Sequence, residues 1–119
     1  MQHLINVVSK DEKTGGVEVF TFTHTNHSFR RSAQRGINDN KMATAILYGK
    51  PFYKQGLIYY VLGEDRIPEK FLKNKEKLRN TIVVVDGDSD TVITCYRSKD
   101  PFKHIRRKSK ILFTNKQAA

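Results

Sequence analysis

Thr81-Ile-Val-Val-Val-Asp86, Gly-Asp-Ser-Asp90 and Thr91-Val-Ile-Thr-Cys-Tyr-Arg97 run consecutively and contain the clearest strand patterns in the chain. Residues 81–86 and 91–97 are rich in β-branched side chains, and the Gly87-Asp88-Ser89 turn between them makes the pair a hairpin. Thr94 and Tyr96 lie two apart and share one sheet face, while Cys95 and Arg97 take the other. Asp86, Asp88 and Asp90 resemble the opening of a calcium loop. Thr91, however, stands where the turn glycine belongs and Arg97 where the bidentate glutamate does, so the segment reads as a turn.

Working back from this hairpin, Glu64 to Asn80 is polar and Lys-rich. Pro68 sits where a first-turn proline would, which predicts a helix over 68–79 anchored by Ile67, Phe71, Leu72 and Leu78. Residues 51–54 and 57–62 are expected to be short strands joined at Gln55-Gly56. A helix over 39–48, capped by Asn38 or Asp39 and ended by Gly49, carries Met42, Ala45, Ile46 and Leu47 inward. An earlier helix starts near Thr25 or Asn26 and stops at Gly36. Residues 17–23 alternate with period two and read as a strand, and residues 2–8 form a candidate first strand. The fold class expected is α+β: an N-terminal helix pair packed on a mostly antiparallel, twisted sheet of about four to five strands, with the Lys-rich helix inserted. Residues 1–113 are expected to form one domain and 114–119 a frayed C-terminus.

At 119 residues the chain suits a single domain with one core. Its net charge of +10, from 22 basic and 12 acidic residues, points to an anionic partner. Nucleic acid leads, with an acidic protein or an anionic membrane behind it. The one cysteine, Cys95, permits no disulfide within the chain, and its neighbours read as strand. Neither a signal-peptide pattern nor a membrane-length apolar run is present, so the expectation is a cytoplasmic protein without membrane contact. A fragment processed from a larger secreted chain and delivered into a target cell's cytoplasm has the same features. His3, His24, His27, His104 and Cys95 lack zinc-ligand spacing, and there is no Gly-rich phosphate loop; neither metal nor cofactor is expected.

His27-Ser-Phe-Arg-Arg31-Ser-Ala-Gln-Arg35-Gly-Ile37 places His27, Arg31 and Arg35 at i, i+4 and i+8. On a helix those steps rotate the side chain by about 40° each, so the three share one face. Cutting RNA without a metal requires that the 2′-OH proton be removed, the leaving 5′-oxygen be protonated and the charge on phosphorus be stabilised. An imidazole suits the first two tasks and guanidiniums the third. Arg30 points about 60° from that face, toward solvent or backbone phosphate. The spacing by itself also describes a solvated basic helix face. On the last strand, the Thr94 and Tyr96 hydroxyls could donate to a phosphate, and both residue types are also ordinary in strands. The segment from Arg97 onward is crowded with basic residues, and Arg97, Lys103, Arg106, Arg107 and Lys108 are candidate phosphate contacts. Within it Phe102 could stack on a base and His104 is a second acid–base candidate; alternatively Phe102, Ile105, Ile111 and Phe113 pin the tail to the core.

Two motifs in order carry a family likeness. They are His-x-x-x-Arg-x-x-Gln-Arg-Gly-Ile and Val-Val-Val-x-turn-x-Val-Ile-Thr-x-Tyr-Arg, with an amphipathic helix and a Tyr-containing strand between. This arrangement, from about His24 to Arg97, resembles a widespread group of small bacterial domains of unknown function. By similarity those domains are placed in the barnase–EndoU–colicin–RelE class of toxin ribonucleases. The resemblance implies a helix pair on an antiparallel sheet, with the active site on the sheet face. It implicates His27, Arg31 and Arg35 on the helix, and Thr94, Tyr96 and Arg97 on the last strand. The Lys-rich insertion at 66–79 and the basic tail depart from the pattern.

The reading that follows is a metal-independent endoribonuclease of the toxin kind, acting on RNA by 2′-OH attack and neutralised by an acidic antitoxin or immunity protein. The alternatives are a non-catalytic nucleic-acid-binding module on the same fold, or a basic inhibitor or adaptor that binds protein.

Overall fold

The computed structural model describes residues 3–100. The chain opens with strands β1 (His3–Lys10) and β2 (Val17–His24), then helices α1 (Asn26–Gln34) and α2 (Asp39–Tyr48). Strands β3 (Lys50–Lys54) and β4 (Leu57–Leu62) come next. Two 3₁₀ segments, Glu64–Arg66 and Glu69–Asn74, and the single turn α3 (Lys75–Leu78) lead into β5 (Thr81–Asp86) and β6 (Thr91–Arg97). The strands form one six-stranded sheet in the order β1-β2-β6-β5-β4-β3.

This architecture corrects the expected fold class. The sheet has six strands instead of about four to five, and it is mixed. There is no N-terminal helix pair, because a full-length β-hairpin precedes both helices. β1 and β2 pair antiparallel from His3↔His24 to Lys10↔Val17. Their alternation buries Ile5, Val7 and Phe22 on one face and leaves Leu4, Val8, Val17 and Val19 exposed on the other. β-branched and apolar residues on both faces keep this segment in a sheet even with one side in water. β2 joins β6 in parallel at Thr23↔Thr91 and His24↔Val92 alone, which makes the sheet mixed.

The expected helix over 68–79 is also corrected. Pro68 caps a 3₁₀ segment instead, and one α-helical turn follows. Lys70, Lys73 and Lys77 fall at i, i+3 and i+7, a stack of like charges along one helical face. Of the four proposed anchors, Ile67 and Leu78 are buried, Phe71 is half-buried and Leu72 is 52% exposed. Few inward anchors and mutual lysine repulsion leave a continuous helix without enough to hold it.

α2 packs against β1, β4 and β5, although β2, β6 and β5 separate β1 from β4 in the sheet. The sheet therefore curls around α2. The main core lies in this curl: Ile5, Val7 and Phe22 from the hairpin, Met42, Ala45 and Ile46 from α2, Val83 and Val85 from β5, and Val92 and Cys95 from β6. Gly49 makes the tight exit from α2 possible, since a Cβ there would come within 2.3 Å of the Ala45 carbonyl oxygen. A second cluster occupies the opposite face: Tyr59, Val61, Ile82 and Val84, with Phe52, Leu57 and Tyr96 against it. A bulge between Val84 and Val85 absorbs Ile93, so Val92 and Cys95 both point into the main core. Thr94, opposite Val84, and Tyr96, opposite Ile82, fall on the second face.

Candidate nucleic-acid interface

α1 begins at Thr25, whose hydroxyl accepts the Ser28 N–H at 3.0 Å, and ends at Gly36, which adopts φ +69°. Its placement depends on a histidine that pattern reading passed over. Phe22 and His24 share a strand face, so His24 follows Phe22 inward and is fully buried. Its Nδ1 lies 2.6 Å from the Ser28 hydroxyl and its Nε2 3.3 Å from that of Ser32. Those hydroxyls in turn donate to the Thr25 and Phe29 carbonyls, at 3.1 and 2.8 Å. The Phe29 ring meets His24 edge-on and stacks on His3, with ring centres 4.0 Å apart in the second pair. One imidazole thus fastens two turns of α1 to the end of β2. Burial holds it below the usual histidine range, against a weaker opposing pull from Asp39.

With Ser28 and Ser32 turned inward, His27 and Arg31 are exposed on α1, as the spacing predicts. Arg35, at the helix end, is also exposed, and it reaches back to the sheet. Among the described residues, β6 has no strand partner on its β2 side beyond Val92. There an Arg35 guanidinium nitrogen donates to the Cys95 carbonyl at 2.7 Å and approaches the Thr94 hydroxyl at 3.5 Å. The helix motif and the strand motif therefore meet, through Arg35. A single nitrogen of this guanidinium makes both contacts, which holds Arg35 at the β6 edge beside Thr94.

Tyr96 lies beside this junction and differs from the expected role. Its ring packs into the second-face cluster, and its hydroxyl is buried with no hydrogen-bond partner among the described residues. Burial pushes that hydroxyl above the usual tyrosine range, and the nearby Arg35 only partly offsets it. Arg97 is engaged elsewhere: it donates to the Glu76 and Arg79 carbonyls and ties β6 to the end of α3. Arg30 is exposed on α1. Lys103, Arg106, Arg107 and Lys108, with Phe102 and His104, lie outside the described residues. Cys95 is buried and its thiol is pushed up to about 11 by burial, the state of an inert packing residue. Among the described residues no three His, Cys, Asp or Glu side chains gather to hold a metal ion. No described helix is long and apolar enough to cross a membrane.

The buried network could have been found from the same register that revealed the exposed one. His24, Ser28 and Ser32 repeat the i, i+4, i+8 spacing of His27, Arg31 and Arg35, displaced by three residues. The signal is weak because serine and histidine rarely mark an inward face. No family model, curated protein or solved structure matches this chain.

Proposed function

We propose that this chain is an endoribonuclease that cuts RNA by 2′-OH attack, of the toxin kind, with α1 and β6 forming the site. The observation that supports this reading is the Arg35 bridge to Thr94 and the Cys95 carbonyl. It ties the C-terminal end of α1 to the strand that carries the second motif. In the reaction His27 takes the 2′-hydroxyl proton as the 2′-oxygen attacks phosphorus. The bond to the 5′-oxygen breaks, leaving a 2′,3′-cyclic phosphate, and the 5′-oxygen takes up a proton from solvent or from the same imidazole. Arg31 and the outer edge of Arg35 face the non-bridging oxygens, and the Thr94 hydroxyl orients them. No step uses a metal. A basic active face of this kind suits an acidic neutralising protein, and the activity belongs to the cytoplasm of the producing cell or of a target cell.

The sealed Tyr96 hydroxyl supports a second reading, in which the same face binds RNA without cutting it. A tyrosine whose oxygen cannot reach a ligand offers no proton to one. Incubation of pure protein with total RNA in chelator, beside His27→Ala and Arg31→Ala, separates the two. Cleavage by the wild type, lost in both folded variants, is the expected result. Intact RNA with salt-sensitive binding means the binding module is correct.

A further inference from the structure

A cleft of the described residues lies away from Arg35 and the β6 edge. It opens between β1, α2 and the Lys-rich segment, with a volume of about 650 Å³. Its apolar wall is continuous with the main core: Leu47 and Tyr48 from α2 and Phe71 from the second 3₁₀ segment, with the Tyr48 and Phe71 rings edge to face at 6.1 Å. Its rim is cationic. The Lys70 ammonium is held 5.6 Å over the Tyr48 ring and 5.2 Å over the Phe71 ring, and Lys77 and Lys41 also line the cleft, Lys41 donating to the Gly36 carbonyl. Two carboxylates of the Lys-rich segment are engaged by other cations: Glu64 pairs with Lys75, and Glu76 with Arg79. Among the described residues no carboxylate lines the cleft and neither Lys70 nor Lys77 has one within ion-pair distance. Asn40 and Asn74 are among the remaining residues of the wall.

We propose that this cleft binds a nucleotide, its base against the Tyr48–Phe71 wall and its phosphate on Lys70 and Lys77. Each part of the lining answers one part of that ligand. The aromatic and aliphatic wall takes a flat apolar ring system. The two asparagine amides each present a donor and an acceptor, which match the edge of a base. The unpaired ammoniums take the phosphate. The volume suits a small ligand or one to two nucleotides of a strand, within the range of about 300–1,000 Å³ typical of such pockets. An acidic peptide would satisfy the lysines, but its carboxylates do not require a flat ring wall beside them. The inference stands apart from the proposed cleavage, because the cleft is built from residues other than His27, Arg31, Arg35 and Thr94. It supplies a second RNA contact if the chain is a nuclease, and a nucleotide site if it is not.

The test titrates isotope-labelled full-length chain with two probes: AMP, and a short 2′-O-methyl oligonucleotide, which cannot be cut by 2′-OH attack. Expected are shifts of the Tyr48, Phe71 and Asn74 amides, with binding weakened about tenfold or more by Lys70→Gln with Lys77→Gln. Shifts with AMP identify a free nucleotide; shifts with the oligonucleotide alone identify a strand. His27→Ala leaves these shifts unchanged whether or not the chain cleaves RNA. Shifts confined to α1 and β6, or full affinity in the folded double lysine variant, overturn the proposal. So does displacement of the oligonucleotide from this cleft by an equal concentration of polyglutamate, which assigns the cleft to an acidic protein.

Discussion

Three residues, at the end of β2, the end of α1 and within β6, set the local energetics. His24 is held below its ordinary value of 6.5 by burial. The unfolded chain therefore takes up this proton first, so stability is complete above about pH 6.5 and falls as the pH drops toward the lower folded value. A thermal melt series from pH 7.5 to 5 should show that decline. In His24→Asn the decline should be shallower, on a protein less stable by about 1–3 kcal/mol, because Ser28 and Ser32 lose their partner. An identical pH slope in both proteins would show that another group is titrating. Arg35 acts through the Cys95 carbonyl, so Arg35→Ala should cost about 1 kcal/mol in denaturant unfolding and, under the proposed function, lower RNA cleavage by about tenfold or more. Thr94→Val, which keeps that tie, should leave stability nearly unchanged. The exposed face of α1 was legible because charge and i, i+4 spacing go together in a solvated helix. Its buried counterpart was not, because parity with Phe22 had to be carried across the strand–helix junction to His24.

At the level of elements, β5 and β6 occupy the residues that their β-branched pattern marks, 81–86 and 91–97. Their local preference and their tertiary surroundings agree. The Lys-rich segment shows the opposite case. Pro68 and four apolar residues suggested a helix, but the inward anchors are too widely spaced and the lysines repel, so a 3₁₀ path with one α-turn results. Amide exchange should reflect this: residues 64–77 are expected to exchange much faster than β5, whose central residues are buried on both faces. Slow exchange there would mean a continuous helix forms after all. The junction of α2 and β3 leaves no room for a side chain at Gly49. Gly49→Ala should lose about 1–3 kcal/mol in urea unfolding, because the added methyl group would strike the Ala45 carbonyl and Val61 backbone.

For the whole molecule, the +10 charge makes affinity for any nucleic acid depend on counterion release. Raising salt from about 50 to 200 mM should weaken RNA binding by tenfold or more, as measured by fluorescence anisotropy. Affinity that ignores salt would remove the basic surface from the contact. The overall topology was the least legible level. Each of the six strands left a local trace, but nothing in the sequence announces that β2 turns to meet β6 in parallel, since that choice is made by long-range packing around α2. This meeting has a further consequence. The opening hairpin grips the remaining strands through two residue pairs and a hydrogen bond from the Thr23 N–H to the Asp90 carbonyl. Beyond that short seam it is held by the core side chains it shares with α2, β5 and β6 and by its own His24 imidazole against α1. A mild acid or a gentle pull should peel it off as a flap, uncovering α2 while the β3–β6 meander stays zipped.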